Sequence, residues 1–276
     1  MNPQTDWLKI LSCCKNNVKT RILPLLRNLK EAQPDLGIGA GGDPIKLVDL
    51  AAEKAIVEVL LDAHISFTLI SEESGVKEFG DAPKQCYVTV DPIDGTTNLT
   101  RGLPFYASSI AISSKPILSG VYAALVADLF HDTTYTAQEG EGAYRDGKKI
   151  KTSKASSLGE AMIGLDLNTF KVKEVASQLT DLIQETKHIR HFGANALELC
   201  YVAEGLTDAF VDIRGKLRTT DVAAGFLILR EAGGTITTPE GHALDVKLDP
   251  KQKIKFIASG NAQIHKIILG FVKPKC

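Results

Sequence analysis

The segment 87–98, Tyr-Val-Thr-Val-Asp-Pro-Ile-Asp-Gly-Thr-Thr-Asn, constrains the fold of this chain more than any other. Its first four residues are mostly β-branched or aromatic, which predicts a strand. Pro92 fixes its own φ and biases Asp91 toward an extended backbone, while Gly95 permits a reversal that a residue with a Cβ makes only at a cost. The sequence therefore places two carboxylates, on Asp91 and Asp94, on a stiff turn at a strand end.

The chemistry of this turn suits a hard cation such as Mg²⁺, and exposed backbone N–H groups after it suit a phosphate. Asp-Pro and Asp-Gly are also common in ordinary solvated turns. Two further acidic segments favour the metal site. The apolar run 67–70 ends in Ser-Glu-Glu-Ser-Gly at 71–75, and Asp221 precedes Val-Ala-Ala-Gly at a predicted helix start. Either segment alone could be a surface turn or a helix cap, but three acidic ends in one chain indicate a shared site.

Periodicity predicts an α/β (α+β) protein with two stacked lobes, 1–154 carrying most metal ligands and 155–276 carrying Asp221 and substrate contacts. The Gly-rich segment 33–44 predicts a mobile loop. Helices are predicted over 4–30, 47–63, 171–186, 195–204, 220–232 and 261–271. Strands are predicted over 67–70, 87–90, 106–113, 116–127, 133–137, 142–144, 188–192, 208–213, 234–238 and 254–259.

Two glycine motifs do not predict nucleotide binding. The Gly-x-Gly-x-x-Gly match at 37–42 follows no strand, and the near P-loop at 142–149 has the pattern of a β-hairpin.

Three signatures of this chain resemble those of the inositol monophosphatase family, which comprises Mg²⁺-dependent, lithium-sensitive phosphomonoesterases. They are Ser-Glu-Glu-Ser at 71–74, Asp-Pro-Ile-Asp-Gly-Thr-Thr-Asn at 91–98 and Asp-Val-Ala-Ala-Gly at 221–225. The similarity runs from about Asp49 to Phe271. Segments 42–49, 189–194 and 212–218 resemble the archaeal branch, whose members act as fructose-1,6-bisphosphatases and inositol monophosphatases. The resemblance implies the layered αβαβα sugar-phosphatase fold, with two stacked sheets and helices between and outside them.

The resemblance also implies a set of metal ligands and catalytic groups. The expected ligands of two Mg²⁺ ions about 4 Å apart are Glu72, Asp91, Asp94, Asp221 and the carbonyl oxygen of Ile93. A third ion, bound with the help of Asp43 in the segment 33–44, is left open. Thr96 and Glu72 are expected to position or deprotonate the attacking water. Asp49 is their expected partner if the loop before it is shorter than is usual in the family.

Substrate contacts are expected at the turn, at a helix start and at an arginine. The full expected set is Asp94, Gly95, Thr96, Arg190, Gly193, Ala194, Asn195 and Arg214. Backbone N–H groups of Gly95 and Thr96 would hold the phosphate, and the segment 193–195 would contact the substrate ring. Arg214, with Arg190 or Arg101, would bind a second phosphate.

Two departures from the family bear on the substrate. Thr220 stands where many members have Trp, and Arg214 stands where animal inositol monophosphatases have a Glu that contacts inositol hydroxyls. An arginine fork pairs bidentately with phosphate oxygens, which favours a bisphosphorylated sugar. The predicted function is therefore hydrolysis of fructose 1,6-bisphosphate and inositol 1-phosphate by a metal-activated water, without a phosphoenzyme. The alternatives are a preference for inositol phosphate or 3′-phosphoadenosine 5′-phosphate, and a regulatory binding protein with vestigial activity.

Bulk properties exclude several other classes of protein. The 276 residues carry a formal charge of −1, so no basic field predicts binding to nucleic acid or to an acidic membrane surface. The sequence has no apolar run long enough to span a bilayer and no signal-peptide pattern. Five cysteines without metal-ligand spacing predict a reduced, cytoplasmic protein. The expected partner is a small sugar or inositol phosphate, and the family implies a homodimer.

Overall fold

Strands form two sheets that alternate with layers of helices in the computed structural model, which describes residues 5–26, 36–168 and 172–272. The helices are α1 Trp7–Leu26, α2 Leu47–Asp62, α3 Thr96–Arg101, α4 Val172–Glu185, α5 Asn195–Glu204, α6 Thr219–Glu231 and α7 Ala262–Val272. The strands are β1 Phe67–Ser71, β2 Gly75–Phe79, β3 Tyr87–Asp94, β4 Ala107–Ser113, β5 Val121–Asp128, β6 Thr133–Gln138, β7 Gly142–Arg145, β8 Lys148–Lys149, β9 Met162–Leu165, β10 His188–Arg190, β11 Ala209–Asp212, β12 Thr235–Thr237 and β13 Phe256–Ser259.

Five layers follow from the way these elements bury their apolar faces. The first sheet has the order β2-β1-β3-β4-β5-β6-β7-β8, and the second has the order β10-β9-β11-β13-β12. Helices α1 and α2 cover the outer face of the first sheet, and α4 and α7 cover the outer face of the second. Helices α5 and α6 lie between the sheets in a shared core. The predicted αβαβα layering is confirmed.

Small residues let α5 and α6 pack closely in this middle layer. A Cβ added to Gly225 of α6 would lie 2.8 Å from Cβ of Leu199 and 3.3 Å from the carbonyl oxygen of Ala196, both on α5. Non-bonded carbon atoms prefer a separation of about 3.5–4.0 Å, so a Cβ at position 225 would overlap Leu199. The Val-Ala-Ala-Gly sequence after Asp221 therefore determines how close the two helices lie.

The strand order of the first sheet brings its acidic segments to one edge. β1 and β3 are parallel neighbours, with Ser71 opposite Val90, so their carboxyl ends lie side by side. β3 is antiparallel to β4, and its pairing shifts register between Asp91 and Asp94. Pro92 lies inside this irregularity, where its missing N–H removes no regular ladder bond. The turn that carries both aspartates is thus built into the end of a central strand.

Most predicted elements are confirmed, with shifts of a few residues at their ends. The start of the predicted strand 116–127 is wrong, because Leu118–Gly120 forms a 3₁₀ turn before β5. Strands β2 and β9 and the short helix α3 had no counterpart in the prediction. The described part of the predicted loop 33–44 carries backbone hydrogen bonds to Glu72 and Glu73. Positions 27–30 and 33–35 lie outside the described residues.

The division into lobes at residue 154 stays a prediction. The chain passes from the first sheet to the second between Lys149 and Met162. Among the described helices, none combines the length and the apolar character needed to cross a bilayer.

Two glycine-to-alanine substitutions test the packing of α6. Gly225→Ala should lower the free energy of unfolding by about 1–3 kcal/mol, because its methyl group would overlap Leu199. Gly270→Ala in α7 is the matched control, since a Cβ there meets no described atom within 4 Å. It should raise the free energy of unfolding by about 0.5–1 kcal/mol through helix propensity alone. Urea denaturation of both variants checks this, and equal effects would contradict the packing argument.

Candidate active site

Three carboxylates from distant parts of the chain meet at the shared edge of β1 and β3. Glu72 follows β1, Asp91 lies near the end of β3, and Asp221 is the third residue of α6. One oxygen from each side chain lies within 4.8 Å of one from each of the others. Asp91 and Asp221 are buried, with relative exposures of 4% and 2%. The structure thus brings together the three acids that the sequence analysis took from separate motifs.

Helix capping fixes the position of Asp221. Its Oδ2 accepts a hydrogen bond of 2.8 Å from the backbone N–H of Arg218, the residue before the first turn of α6. Acidic residues at helix starts commonly accept hydrogen bonds from backbone N–H groups that have no partner within the helix. The cap leaves the carboxylate facing the acids of the neighbouring strands, so the two roles considered for Asp221 are compatible.

The side chain of Arg218 lies among these acids. Its Nη2 is 2.6 Å from Oε1 of Glu72, and its Nε is 3.4 Å from Oδ1 of Asp221. Its Nη1 is 2.8 Å from Oδ2 of Asp43, in the Gly-rich loop. The sequence analysis quoted Arg218 only within a family segment and gave it no role. Its position three residues before Asp221, on the same helix start, was the available signal.

Burial and mutual repulsion raise the pKa values of the clustered acids. Burial is the main cause for Glu72 and for Asp91, and the next cause is the charge of Asp221 on Glu72 and of Glu72 on Asp91. The pKa of Asp94 is raised to about 7 by burial and then by the charge of Asp221. Such groups resist ionisation unless a cation offsets them. A cluster of buried carboxylate oxygens fits Mg²⁺, which prefers such ligands.

Asp49 and Thr96 form the partnership that the sequence analysis expected. Oγ1 of Thr96 is 3.0 Å from Oδ1 of Asp49 and 2.8 Å from the carbonyl oxygen of Ile93. A hydroxyl has a single proton, so it donates to one of these acceptors at a time. Burial raises the pKa of Asp49 to about 6. Asp49 therefore remains mainly ionised at neutral pH and can accept the proton of the Thr96 hydroxyl.

Only a glycine fits the turn at position 95. Gly95 has φ +86°, and an added Cβ would lie 3.0 Å from Cβ of Ala194 and 3.2 Å from the carbonyl oxygen of Gly193. The positive φ turns the chain directly from β3 into α3. The turn therefore contacts the segment 193–195 and brings two predicted substrate-binding segments together.

Asp94 lies differently from the other acids of its motif. Its two oxygens accept backbone N–H groups of Asn195, at 2.9 Å, and Ala196, at 2.7 Å. Asp94 thus docks β3 onto the N-terminus of α5, and the metal-competent cluster found among the described residues consists of Glu72, Asp91 and Asp221. Ligation by Asp94 stays a prediction.

Side chains that the sequence analysis did not consider support the loop before α5. Glu198 is buried and accepts the backbone N–H groups of Gly193, at 3.0 Å, and Phe192, at 3.3 Å. Burial raises the pKa of Glu198 to about 8. Asn98 donates to the carbonyl oxygens of Phe192 and Phe105 at 2.7 and 2.8 Å. These bonds hold the segment that was predicted to contact the substrate.

A cavity of about 860 Å³ opens over the acids and the turn. Predicted residues on its wall are Asp49, Glu72, Asp91, Ile93, Asp94, Gly95, Thr96, Gly193, Asn195, Arg214 and Asp221. Two predicted substrate contacts, Arg190 and Ala194, do not line the described cavity wall. Arg190 is exposed on β10, and Ala194 is fully buried. A larger groove of about 1140 Å³ beside α1 and α2 has mainly apolar walls, and the acidic cluster identifies the smaller cavity as the candidate site.

Arg214 reaches the cavity wall with its charge already offset. Its guanidinium forms ion pairs with Asp166 and Asp212, and its Nη1 donates to the carbonyl oxygen of Asn168 at 3.0 Å. Its side chain is 5% exposed. Arg101, at the end of α3, is exposed and also lines the cavity. A second phosphate would therefore find Arg101 more accessible than Arg214.

The fold and site define a layered α/β protein with an acidic, oxygen-lined cavity suited to divalent metal. Residues 12–272 match the inositol monophosphatase family. A fructose-1,6-bisphosphatase/inositol-1-monophosphatase of Methanothermobacter thermautotrophicus is 35% identical over 272 residues, which is 95% of each chain. A bifunctional NADP phosphatase/NAD kinase of Methanococcus maripaludis is 31% identical, and the match covers 96% of this chain and 49% of that protein.

Solved structures agree with these relatives. The crystal structure of an inositol monophosphatase-fructose 1,6 bisphosphatase superimposes with a TM-score of 0.85 at 28% identity, covering 97% of this chain and 100% of the other. The chain belongs to the inositol monophosphatase family. It is a phosphatase, as the resemblance implied, and the predicted similarity to the archaeal branch of the family is confirmed.

The raised pKa values predict how the stability of the metal-free protein depends on pH. Asp49, Asp94, Glu73 and Glu198 have folded-state pKa values of about 6, 7, 8 and 8, against ordinary values of 3.8 and 4.5. The folded state then binds more protons than the unfolded state, so the free energy of unfolding should fall as the pH rises from about 5 to 8.

Urea denaturation in EDTA and in Mg²⁺ across this range checks the expectation. Mg²⁺ binds ionised carboxylates, so its stabilising effect should grow with pH and should flatten the slope. A metal-free protein that becomes more stable toward pH 8 would contradict the assigned electrostatics.

Proposed function

We propose that this phosphatase hydrolyses monoesters of sugar and inositol phosphates, chiefly fructose 1,6-bisphosphate and inositol 1-phosphate. The observation that carries the proposal is the convergence of Glu72, Asp91 and Asp221 within 4.8 Å at the floor of the cavity. The two substrates are those named for the relative from Methanothermobacter. Both are small phosphate esters, in keeping with a cavity of about 860 Å³.

The residues that would hold Mg²⁺ are Glu72, Asp91 and Asp221, joined by the carbonyl oxygen of Ile93 and by Asp94. Two ions are proposed, and Asp43 would serve a third. When bound, Mg²⁺ lowers the pKa of water and offsets negative charge on the phosphoryl oxygens. Ligation by Asp94 requires one of its oxygens to accept the metal in addition to, or instead of, an N–H group of α5.

Proton transfer is assigned to Thr96 and its neighbours. With its hydroxyl proton donated to Asp49, Oγ1 of Thr96 keeps lone pairs that can accept a hydrogen bond from the attacking water. Glu72, a member of the acidic cluster, is the second acceptor. Backbone N–H groups of Gly95 and Thr96 are assigned to the phosphate. The segment 193–195, held by Glu198, is assigned to the ring of the substrate.

The second phosphate is assigned to Arg101 together with Arg214. Arg214 contributes a fixed guanidinium on the wall, but Asp166 and Asp212 offset much of its charge. Arg190 is not assigned a substrate contact, because it is exposed and absent from the described cavity wall.

The wider setting follows from the assigned substrates. Hydrolysis of fructose 1,6-bisphosphate would place the enzyme in gluconeogenesis, and a cytoplasmic homodimer is proposed from the family resemblance and the cysteine content. The proposed partners are the small phosphate esters themselves, without nucleic acid or membrane. A preference for inositol phosphate or 3′-phosphoadenosine 5′-phosphate remains the alternative within the enzyme class, and no comparison favours it.

The substitution Asp91→Asn should lower the turnover rate without lowering the stability of the metal-free protein. Turnover should fall at least about 100-fold, because a ligand shared within the cluster is lost. The metal-free variant should be at least as stable as the wild type, because a buried charge with a raised pKa is removed. Initial rates with Mg²⁺ and thermal unfolding in EDTA measure the two effects.

Asp81→Asn, at an exposed loop position outside the cavity, is the matched control. It should leave both the rate and the melting temperature unchanged. Near-normal turnover in Asp91→Asn would overturn the metal assignment.

Arg101→Gln should affect the two substrates unequally. The value of kcat/KM for fructose 1,6-bisphosphate should fall about tenfold, the size expected for one lost charge-assisted hydrogen bond. The value for inositol 1-phosphate should change little, since that ester has no second phosphate. Arg190→Gln is the control and should leave both values unchanged.

Rates on NADP and on 3′-phosphoadenosine 5′-phosphate, measured beside these esters, decide among the substrate classes. Equal losses on both primary substrates in Arg101→Gln would count against its assignment to a second phosphate.

A further inference from the structure

The guanidinium of Arg218 contacts two of the three acids of the candidate metal site. It bonds to Glu72 and Asp43 at 2.6 and 2.8 Å and contacts Asp221 at 3.4 Å, while its side chain is only 11% exposed. Two of these three acids belong to the cluster that fits a divalent cation. The guanidinium of Arg218 therefore offsets part of the negative charge of the cluster that Mg²⁺ would otherwise offset.

The surroundings of Arg218 are built to fit this position. A Cβ added to Gly41 would lie 2.3 Å from Nη1 of Arg218 and 2.9 Å from Cγ of Glu72, so only glycine allows the loop to lie so close. Two backbone hydrogen bonds hold the loop in place: Gly41 N–H donates to the carbonyl oxygen of Glu72 at 2.8 Å, and Ala40 N–H donates to that of Glu73 at 3.0 Å. Loop, arginine and acids thus pack as one unit.

We propose that Arg218 is a resident counter-cation: it holds Glu72 and Asp221 close together in the metal-free protein and competes with Mg²⁺ for them. Buried carboxylates without a partner repel each other, and this repulsion would push the cluster apart. The planar fork of arginine presents five N–H donors in fixed directions, whereas a lysine carries a point charge on a flexible stem. The same positive charge repels Mg²⁺. Arg218 therefore lowers the affinity of the site for Mg²⁺ while it holds the acids together.

The proposal rests on the assignment of Glu72, Asp91 and Asp221 as metal ligands. It goes further in one respect: it makes Arg218 a positioning residue that sets the Mg²⁺ affinity. It also connects the Gly-rich loop to the metal site, because Asp43 shares the guanidinium. If Glu72 and Asp221 held Mg²⁺, Asp43 would be the carboxylate partner that Arg218 keeps.

Titration calorimetry with MgCl₂ alone, at low ionic strength, tests the proposal without reference to activity. Arg218→Gln should bind Mg²⁺ about tenfold more tightly than the wild type, the order expected when a unit charge is removed a few ångströms from a divalent ion. Its melting temperature in EDTA should be lower than that of the wild type, and its increase on adding Mg²⁺ should be larger.

Lys251→Gln is the matched control. Lys251 carries the same charge in the loop that adjoins the start of α6, but its side chain is exposed and does not line the described cavity. The Mg²⁺ affinity of this variant should stay within about twofold of the wild type, because an exposed charge is screened by solvent. A gain in Mg²⁺ affinity equal to that of Arg218→Gln would overturn the proposal, since a change in the net charge of the protein would then explain both results.

Arg218→Lys covers the case in which the glutamine variant does not fold. It keeps the charge but loses the fork, so its Mg²⁺ affinity should lie between those of the wild type and Arg218→Gln. Unchanged or weaker Mg²⁺ binding in the Arg218 variants would refute the counter-cation role and leave the proposed function intact. Failure of the wild type and all variants to bind Mg²⁺ would instead refute the metal assignment itself.

Discussion

Repulsion among carboxylates at the common edge of β1 and β3 is the constraint on which the rest of the site depends. Parallel pairing places Glu72 beside the strand that carries Asp91, and α6 adds Asp221 from the helix layer between the sheets. Burial makes this repulsion strong, because water no longer screens it. The protein tolerates the arrangement through local compensation. The backbone N–H of Arg218 at the helix start donates to Asp221, and the guanidinium of Arg218 contacts Glu72 and Asp221.

A second set of interactions fixes the backbone that carries these acids. Glu53 of α2 accepts the hydroxyl of Ser71 and, at 3.2 Å, the backbone N–H of Ser74. On the opposite wall, Asp94 accepts two N–H groups of α5, and Glu198 accepts two from the loop before that helix. The cavity is therefore bordered by segments whose positions are fixed by hydrogen bonds from helices α2 and α5, which suits a site that must hold charged groups still.

Much of this could be predicted because the decisive signals are local. A proline and a glycine around two aspartates define the turn after β3 whatever surrounds it, and the bounds of α5 follow from its apolar spacing. The missed elements lacked such signals. β2 is an edge strand with three exposed residues, and β9 has four residues, among them Gly164, which packs against Phe210 and Glu198. Their pairing depends on neighbours far away in sequence.

The order of residues alone determined the layered fold class, the strand-to-turn geometry at the two aspartates and the family to which the chain belongs. Tertiary structure alone decided the partners of the long, charged side chains. It paired Arg214 with Asp166, directed Asp94 to the start of α5 and placed Arg218 among acids 43, 72 and 221. Such contacts join residues that can be more than a hundred positions apart. They form only where packed faces bring opposite charges within a few ångströms, and periodicity along a chain does not encode that distance.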